Sequence, residues 1–595
     1  MNMKMSDYIA DFLAKQGIRH VFAITGGACI HLIDSLSKHP DITFICPQHE
    51  QAGAMAADAY SRITGNLGVA LATSGPGATN MMTGVCCAYF DSVPVLYITG
   101  QVASFRSKGN TGVRQVGFQE TDTVDMYRPI TKYAVLVKDR KKIRYELEKA
   151  VSIAKTGRPG PVLVDIPDDF QREPINTDEL EPFIPTPEIK DLNQLKAQIG
   201  QCLPLLQAAK RPVVILGWGV RLSKAEEEAK KLVEKLGFPI VPTWGIADLF
   251  PSDHPLLAGT FGVHGTRYGN YTVQNADLVL AVGTRLDTHE AGSPLSSFAR
   301  EAKRIIVDID PFELKKFGTF GLTADLLIQA EAKDFLSLTL SQLKSVKSQD
   351  LSAWKKRISG WKEKYPICPP AYYAEKKLNP YVFVKTLSKR APEGEIFFID
   401  TGCAVAWMMQ AFEFKTGQRA FSAFNNTPMG YALPASMGAS LALDKKQITC
   451  VVGDGALQMN IQELATLLRH DLPIKIFLIN NHGYSMVQQT QDQWLNSRYA
   501  ATTVEGGLAF PNFVRVAEAY GYKTLTIDTN KEVDQKIAEA YNTPGPLFCN
   551  VEIDGAYRVV PQAVYGRPIE DAEPLLGRKE FFENMIVKPT ASSLK

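Results

Sequence analysis

An aspartate and an asparagine stand at opposite ends of the stretch GDGALQMNIQELATLLRHDLPIKIFLINN. Asp454 directly follows the apolar run ITCVV, and Asn481 stands at the end of the run IKIFLINN. Both runs are typical of buried strands in a parallel sheet. Since the carboxyl ends of neighbouring parallel strands lie at one edge of a sheet, we expect the two side chains to share one ligand.

The oxygen atoms of these two side chains suit a magnesium ion. Mg²⁺ prefers hard oxygen ligands in octahedral geometry, keeps several waters and takes further ligands from phosphates. The glycines on either side of Asp454 would let a diphosphate approach the backbone closely. Taken alone, GDG is typical of a turn and NN of a strand end, but their joint spacing favours a magnesium–diphosphate site.

Four further motifs carry residues that could contact a ligand, although each also has an ordinary structural explanation. Glu50 in HEQ is typical of a first helical turn, where the helix dipole favours a carboxylate. Met429 in TPMGYA is typical of a flexible core side chain. The DTG motif with Thr401 is typical of a turn, and Phe118 with Gln119 in GFQE is typical of local packing beside a surface amide.

Length and composition indicate an ordinary globular protein of several domains. The 595 residues are too many for one hydrophobic core, and we expect three domains. With 45% apolar residues, 22% charged residues and a formal charge of +2, the chain offers no electrostatic basis for binding nucleic acid or an anionic membrane surface. No apolar run approaches the ~20 residues that cross a bilayer, and the N-terminus lacks a signal-peptide core. We therefore expect a cytoplasmic protein without nucleic-acid or membrane partners.

Short apolar runs alternate with longer helical patterns along the chain, which predicts an α/β protein with mainly parallel sheets. Two polar, proline-bearing segments, Arg172 to Asp191 and about Ser345 to Pro380, divide this alternation into three stretches. The predicted architecture is three consecutive α/β domains covering residues 1–180, 192–345 and 375–560. A C-terminal tail at 561–595 is expected to fold back over the body.

The spacing of GDG and NN resembles the signature of enzymes that bind thiamin diphosphate. Other motifs occur in the order found in the acetohydroxyacid synthase (acetolactate synthase) group of that superfamily. They are PQHEQAGAMAADAYSR and ATSGPGATN in the first domain, FGVHGTRYGNYTVQNADLVLAVGTRLD in the second and NTPMGYALPASMGA in the third. The resemblance covers almost the whole chain and implies a pyrimidine-binding, a central flavin-type and a diphosphate-binding domain.

The resemblance implies specific roles for individual residues. Glu50 would share a proton with the pyrimidine ring of the cofactor and so promote removal of the thiazolium C2 proton, and Gln119 would be a second catalytic residue. Asp454, Asn481 and the backbone carbonyl of Gly483 would hold the Mg²⁺ that carries the diphosphate. The other implied contacts to thiamin diphosphate, with Met429 beneath the bend of the cofactor, are Gly27, Thr401, Gly402, Cys403, Thr427, Met429, Gly453 and Gly455.

The central domain resembles the flavin domain of the same group, in which FAD is structural. No G-x-G-x-x-G follows a strand in this region, so the prediction of FAD depends on the family resemblance, and loss of the flavin is the alternative. The implied contacts lie in the motifs LGWGV, GVHG, TRLD and VDID, and are Gly217, Gly219, Gly262, His264, Arg285 and Asp308.

Three substrate-side positions depart from the acetohydroxyacid synthase pattern. His289 in LDTHEAG stands where that group has an arginine that binds the carboxylate of its second 2-keto acid. Asp168 in IPDD replaces a lysine, and Thr490 in MVQQTQD replaces a tryptophan. A neutral imidazole binds a carboxylate less well than a guanidinium does, and an aspartate repels it. The other implied substrate contacts are Ala28 and Phe118.

These departures lead to the hypothesis that pyruvate remains the two-carbon donor but the acceptor is a ketone or a nucleotide-linked keto-sugar. The segment QQTQD and the tail from GRPIED to FFENM also resemble thiamin enzymes that transfer a two-carbon unit to a keto-sugar. A conventional acetolactate synthase is the alternative, followed by a pyruvate oxidase or decarboxylase. A non-catalytic homologue is disfavoured because Glu50, Asp454 and Asn481 are all present.

The resemblance also implies an oligomer. In this superfamily the pyrimidine-binding domain of one subunit faces the diphosphate-binding domain of another, so we expect a homodimer or homotetramer with active sites between subunits. Glu50 would then serve a cofactor that the Asp454 and Asn481 of a second copy hold.

Overall fold

Parallel sheets dominate the computed structural model, which describes residues 2–186, 190–343 and 349–594. Two six-stranded sheets and one four-stranded sheet contain only parallel pairs, and two short ribbons are antiparallel. The three large sheets follow one another along the chain, which confirms the predicted α/β fold class. The domain limits given above stay predictions, and those at 1, 345 and 595 lie outside the described residues.

The first unit is a six-stranded sheet with helices around it. Its strands are β1 (Asn2–Lys4), β2 (His20–Ala23), β3 (Thr43–Ile45), β4 (Gly68–Ala72), β5 (Val95–Gln101), β6 (Tyr133–Leu136), β7 (Val162–Pro167) and β8 (Pro174–Asn176). Its helices are α1 (Met5–Lys15), α2 (Ile30–Lys38), α3 (Glu50–Thr64), α4 (Pro76–Asn80), α5 (Met82–Phe90), α6 (Thr123–Tyr127), α7 (Ile143–Lys155) and α8 (Asp168–Arg172). The sheet order is β3-β2-β4-β5-β7-β6, and β1 pairs with β8. Every residue of β4 and β5 is buried, as expected for a parallel sheet covered on both faces.

The middle unit has a smaller sheet with the order β12-β11-β10-β9. Its strands are β9 (Pro212–Leu216), β10 (Leu278–Val282), β11 (Lys303–Asp308) and β12 (Leu326–Gln329). Its helices are α9 (Leu192–Ala208), α10 (Trp218–Leu222), α11 (Glu226–Leu236), α12 (Arg267–Gln274), α13 (Thr288–Ala291), α14 (Pro311–Lys315), α15 (Ala332–Gln342), α16 (Ser352–Lys364) and α17 (Pro370–Tyr373).

The third unit repeats the six-stranded plan, with the order β14-β13-β15-β16-β18-β17. Its strands are β13 (Ile396–Ile399), β14 (Arg419–Phe421), β15 (Ile448–Gly453), β16 (Ile474–Asn480), β17 (Lys523–Ile527) and β18 (Leu547–Glu552). Its helices are α18 (Pro380–Arg390), α19 (Cys403–Ala411), α20 (Ala432–Ala442), α21 (Asp454–Asn460), α22 (Glu463–Arg469), α23 (Ser485–Leu495), α24 (Phe513–Tyr520) and α25 (Val533–Asn542).

The tail contains β19 (Gln562–Ala563), β20 (Ala572–Glu573) and α26 (Arg578–Asn584), and it packs on the middle unit. Arg267 of α12 donates to the carbonyl oxygens of Ala572 and Pro574, and Trp361 of α16 donates to the side chain of Asn584. The tail therefore folds back over the body, as predicted. Short 3-10 helices occur at Gly27–Cys29, Ser104–Arg106, Arg128–Ile130, Arg140–Lys142, Thr177–Glu179, Trp244–Ile246, Leu295–Ser297 and Ala591–Leu594. None of the described helices is both long and apolar enough to cross a membrane.

Helices α3 and α20 join the first and third units in one hydrophobic core. Ala54, Met55, Ala56 and Ala57 of α3 and much of α20 belong to the same cluster of buried residues. The two helices approach so closely that a Cβ on Gly438 would collide with the carbonyl oxygen of Ala56. Small residues on both faces therefore set the distance between the two units.

Replacing Gly438 by alanine is expected to lower the free energy of unfolding by about 1–3 kcal/mol, because the added methyl group has no space between α3 and α20. Gly200 of α9 is the matched control, since a Cβ there meets no atom within 4 Å. Gly200→Ala should stabilise the protein by ~0.5–1 kcal/mol through helix propensity. Denaturant titration measures the free energy of unfolding of both variants. Equal changes in this free energy would show that the close packing of α3 on α20 does not limit stability.

Candidate active site

Polar residues follow three neighbouring strands of the third sheet. Strand β15 pairs in parallel with β13 on one side and β16 on the other, and Gly453 lies opposite Ile479 in the register. Thr401 follows β13, Asp454 follows β15 and Asn481 follows β16. The expectation that the strands before Asp454 and Asn481 are parallel neighbours is therefore confirmed, and both residues are at the same edge.

The side-chain amide of Asn481 lies beside two oxygen atoms at this edge. One of its terminal atoms is 3.2 Å from Oδ2 of Asp454 and 2.9 Å from the carbonyl oxygen of Gly483, and the other is 2.6 Å from Oγ of Ser485. With its nitrogen facing Asp454 and Gly483, the amide donates to both oxygens and its own oxygen accepts from Oγ of Ser485. With the amide turned by 180°, oxygens of Asp454, Asn481 and Gly483 would face one another, and hard oxygen atoms are the ligands that Mg²⁺ prefers.

The carboxylate of Asp454 is buried and surrounded by backbone N–H groups. Its Oδ1 accepts from the N–H of Gly455, and its Oδ2 accepts from those of Asn481 and Gly483. Burial raises the pKa of Asp454 to about 6, although these hydrogen bonds oppose the shift. A cation would stabilise the ionised form. Among the described residues, no cluster of three His, Cys, Asp or Glu side chains is arranged to hold a metal, so a cation here would need the amide and backbone oxygens.

Glycine positions around Asp454 leave room for a ligand. A Cβ on Gly453 would meet nothing within 4 Å, so packing inside the protein does not explain this glycine. Gly455 does have a packing role, because a Cβ there would collide with the Tyr484 ring and would lie 2.9 Å from Cε of Met429. Met429 is thus brought next to the GDG motif. Gly402 has a φ of +77° at the start of α19, a conformation that favours glycine.

The remaining predicted residues of this edge have the following surroundings. Thr427 has a φ of +43°, and its N–H donates to the carbonyl oxygen of Ala423. Cys403 is buried, and burial raises the pKa of its thiol to about 12. Thr490 is half-buried on α23, and its hydroxyl donates to the carbonyl oxygen of Met486.

A second group of predicted residues surrounds the SGPGATN motif of the first unit. Oε2 of Glu50 accepts from the side chain of Asn80 at 2.9 Å, and a Cβ on Gly77 would lie 3.4 Å from Oε1 of Glu50. Gln119 packs against Gly75, with 3.0 Å between its Cβ and a Cβ built on that glycine. The N–H of Ala28 donates to Oγ1 of Thr73 just before the motif, and a Cβ on its neighbour Gly27 would meet nothing within 4 Å.

The segment that ends in Phe118 and Gln119 is held by the carboxylate of Glu120. Its Oε1 accepts from the hydroxyl of Ser107 and the N–H of Lys108, and its Oε2 accepts from the N–H groups of Val116 and Gly117. These bonds lower the pKa of Glu120 despite its burial. The ring of Phe118 is nevertheless 86% exposed. Contacts within one chain therefore fix the position of Phe118 but leave its ring exposed to solvent.

A groove with an empty volume of about 1360 Å³ lies between the three units. Of the residues predicted to contact FAD, Gly219, Arg285 and Asp308 line it, and so does His289. Gly217, Gly262 and His264 are not among its lining residues. Cβ atoms on Gly217 and Gly262 would lie too close to the carbonyl oxygens of Gly283 and His289, so these two glycines have structural roles.

His289 forms a pair with His264 beside Trp244. Nδ1 of His264 and Nε2 of His289 are 3.0 Å apart, and the Trp244 ring lies 4.6 Å from that of His289. Burial lowers the pKa of His264 to about 3 and also lowers that of His289. Both imidazoles are therefore neutral near pH 7. Asp168 is at the N-terminus of α8 in the first unit, and its Oδ1 is buried without a hydrogen-bond partner.

Three carboxylates of the site were missed in the sequence. Besides Glu120, Asp400 at the end of β13 accepts from the N–H groups of Gly430 and Ala432, and burial raises its pKa to about 6. Glu463 of α22 accepts from the backbone just before Glu50. Asp400 and Glu463 bind N–H groups from distant segments, so no local spacing indicates their roles, whereas Glu120 also binds those of Val116 and Gly117 just before it. Asp400 is adjacent to Thr401, which the sequence did predict as a site residue.

Comparison with known families identifies the class of protein. Residues 3–126, 199–338 and 400–551 match the N-terminal TPP binding, central and C-terminal TPP binding domains of thiamine pyrophosphate enzymes. The chain therefore belongs to the thiamine pyrophosphate enzymes, within the acetolactate synthase-like carboligases that form carbon–carbon bonds.

The relatives have closely similar lengths. The chain is 34% identical to the acetolactate synthase large subunit of Porphyra purpurea, over 94% of this chain and 93% of the relative. It is 33% identical to the isozyme 3 large subunit of Escherichia coli K12, over 95% and 97% of the two chains. The probable large subunit of Methanocaldococcus jannaschii is 34% identical over 100% and 98%.

Replacing Glu120 by alanine is expected to release residues 107–117, because four hydrogen-bond donors lose their acceptor. Trypsin should then cleave after Lys108 and Arg114 several-fold faster, as expected for a locally unfolded segment. Asp122→Asn is the control, since it removes only a partly exposed ion pair with Lys108. Cleavage of the Glu120→Ala variant at the wild-type rate would show that this carboxylate does not hold the segment.

Proposed function

We propose that this chain is a Mg²⁺- and thiamin-diphosphate-dependent carboligase that joins a two-carbon unit from pyruvate to a carbonyl acceptor. The observation that carries the proposal is that Asp454, Asn481 and Gly483 lie together where two neighbouring parallel strands end, with the N–H groups of Asn481 and Gly483 both bonded to Oδ2 of Asp454. Relatives named acetolactate synthase support pyruvate as the donor, because acetolactate is made from pyruvate.

The residues present fit both groups. Asp454, Asn481 and Gly483 would hold Mg²⁺, and Gly453, Gly402 and the N-termini of α19 and α21 offer backbone N–H groups to a diphosphate. When bound, thiamin diphosphate supplies the acidic carbon that adds to a 2-keto acid and stabilises the charge left after loss of CO₂.

Glu50 would hold a proton against the pyrimidine ring, and the amide of Asn80 fixes the orientation of its carboxylate. Met429 would support the cofactor from beside the GDG motif. Gln119 and Ala28, from the same half of the site as Glu50, would lie against the donor. Their positions depend on contacts with the Thr73–Gly77 segment.

Replacing Asp454 by asparagine is expected to abolish most of the stabilisation that Mg²⁺ with thiamin diphosphate gives to the protein. At 100 times Kd a ligand stabilises the fold by about 2.7 kcal/mol, so the wild type should show a clear rise in Tm. The variant removes the anionic ligand while keeping the shape of the side chain. Asp471→Asn, at an exposed position on the same unit, should respond like the wild type. An unchanged rise in Asp454→Asn would exclude Asp454 as a metal ligand.

The complete site is proposed to form between two copies of the chain. The exposed ring of Phe118, next to the predicted catalytic Gln119, lacks the cover that a large aromatic side chain in a site would have. A second copy would provide it. Sedimentation of only the single chain at micromolar concentration would contradict this proposal.

FAD is proposed as the occupant of the groove. Among the described residues that line it, Trp244 has a buried Nε1 without a hydrogen-bond partner. Asp308 and Glu290 also line the groove, and their carboxyl oxygens are acceptors for hydroxyl groups. Burial raises the pKa of Asp308 to about 6 and that of Glu290 to about 7. An aromatic, polyhydroxylated ligand fits this wall, and flavin absorbance in the purified protein is the expected result.

Acetolactate synthesis is the first candidate reaction, because the relatives carry that name. In this reaction the acceptor is a second 2-keto acid. The second candidate is transfer to a neutral ketone or keto-sugar, and His289 favours it because its neutral imidazole already bonds to His264. Arg62, Arg158 and Arg285, the arginines lining the described groove, are all paired with carboxylates.

The deciding experiment follows CO₂ release from pyruvate alone and with 2-ketobutyrate, simple ketones or a nucleotide-linked 4-keto-6-deoxyhexose. Rapid acetolactate formation from pyruvate alone would establish the first candidate. Acceleration only by a ketone or the sugar, with a two-carbon adduct, would establish the second. In that case His289→Arg should raise kcat/KM for 2-ketobutyrate at least ~10-fold by binding its carboxylate, whereas the neutral control His289→Gln should not.

A further inference from the structure

Asp91 connects the first unit to a segment that carries predicted cofactor contacts. This buried residue follows α5. Its Oδ1 accepts from the backbone N–H of Asn425 at 3.1 Å and from the side chain of Asn425 at 2.7 Å. Its Oδ2 accepts from the N–H of Phe424 at 3.1 Å and from Nη2 of Arg62 at 2.7 Å. The carboxylate thus fixes the beginning of residues 424–429.

The backbone of the same residue contacts the middle unit. The indole N–H of Trp218, the first residue of α10, donates to the carbonyl oxygen of Asp91 at 2.9 Å. Asp91, Trp218, Phe424 and Asn425 all line the groove. A ligand that fills the groove would therefore lie beside partners of Asp91 from both the middle and the third unit.

The far end of residues 424–429 reaches the thiamin half-site. Thr427 has a φ of +43°, and Met429 lies against Gly455. Asp400 binds the N–H of Gly430 immediately afterwards. The segment is thus fixed at one end by a carboxylate of the first unit and at the other by one of the third unit, with the predicted cofactor contacts between them.

We propose that Asp91 is a positioning residue that couples the groove to the thiamin site. A ligand that fills the groove restrains Trp218, Phe424 and Asn425, and through Asp91 it holds residues 424–429 in the conformation that contacts thiamin diphosphate. Each ligand then tightens the binding of the other by the same factor, because coupling between two sites is reciprocal. The inference rests on the cofactors proposed above, and it gives the groove ligand a role that needs no redox chemistry.

The test is a pair of reciprocal titrations on the full-length protein stripped of cofactors. Calorimetry measures the Kd of thiamin diphosphate with Mg²⁺, without FAD and with saturating FAD, and then the Kd of FAD without and with thiamin diphosphate. In the wild type the two ratios should be equal and at least ~5-fold. Equal affinities with and without the other ligand would overturn the coupling.

Two variants test the path through Asp91. Asp91→Asn keeps one carbonyl oxygen for Asn425 but turns an N–H group toward Arg62 and Phe424. Trp218→Phe removes the indole N–H and part of the ring that lies near Arg62 and Phe421. Both should bind each ligand separately with coupling ratios close to one. Trp354→Phe is the matched control, because its indole N–H also donates to a backbone carbonyl, that of Pro212, while Trp354 does not line the described groove. Its ratio should equal that of the wild type.

The outcomes separate this inference from the proposed function. Binding of both ligands with full coupling in Asp91→Asn overturns the role of Asp91 alone. Failure of the wild type to bind FAD overturns the proposed cofactor together with the coupling. Thermal unfolding of each variant without ligands detects general damage, and Trp218→Phe provides the same test should Asp91→Asn unfold, because it leaves the carboxylate network intact.

Discussion

The relative positions of the three units depend on the interactions of the guanidinium group of Arg62. It bonds to Asp58 on its own helix, to Asp91 and to the carbonyl oxygen of Ser422. The rings of Trp218 and Tyr431 lie 5.7 and 5.8 Å from it. Burial opposes its charge, yet the surrounding carboxylates raise its pKa well above the ordinary value. Removing one partner of such a buried pair costs about 3–5 kcal/mol, so this cluster strongly favours one arrangement of the units.

The elements of the fold were more predictable than the contacts between them. Runs such as ITCVV and IKIFLIN are buried on both faces, and that pattern alone indicates a parallel sheet. No pattern in the sequence indicated that α3 packs against α20. Both helices are rich in small residues, and a series of small residues shows that something packs closely without showing what. The partner of Gly438 becomes known only when the two sheets are placed.

The residues of the candidate site can likewise be divided into those that the sequence predicted and those that it did not. Asp454 and Asn481 were found because they follow consecutive strands, so chain order reports their proximity. Asp91 and Asp400 were not found, because each accepts hydrogen bonds from N–H groups that only the tertiary structure brings to it. Glu120 was not found although two of its donors, Val116 and Gly117, lie only four and three residues before it. The glycines of the middle unit were weaker guides than expected, since Gly217 and Gly262 pack against the backbone rather than line the groove.

This difference explains why similarity to acetolactate synthases is better evidence for cofactor binding than for the choice of acceptor. Cofactor binding depends on the sheet edges, the close helix contact and the buried carboxylates, and these require many residues to keep one geometry. Choice of acceptor depends on the charge at a few positions, and a site that binds one polar group can reject an analogue without it by 10⁴-fold or more. His289 and Asp168, the predicted acceptor-side residues, belong neither to a strand nor to the α3–α20 contact, so a change of charge at these positions would leave the framework intact.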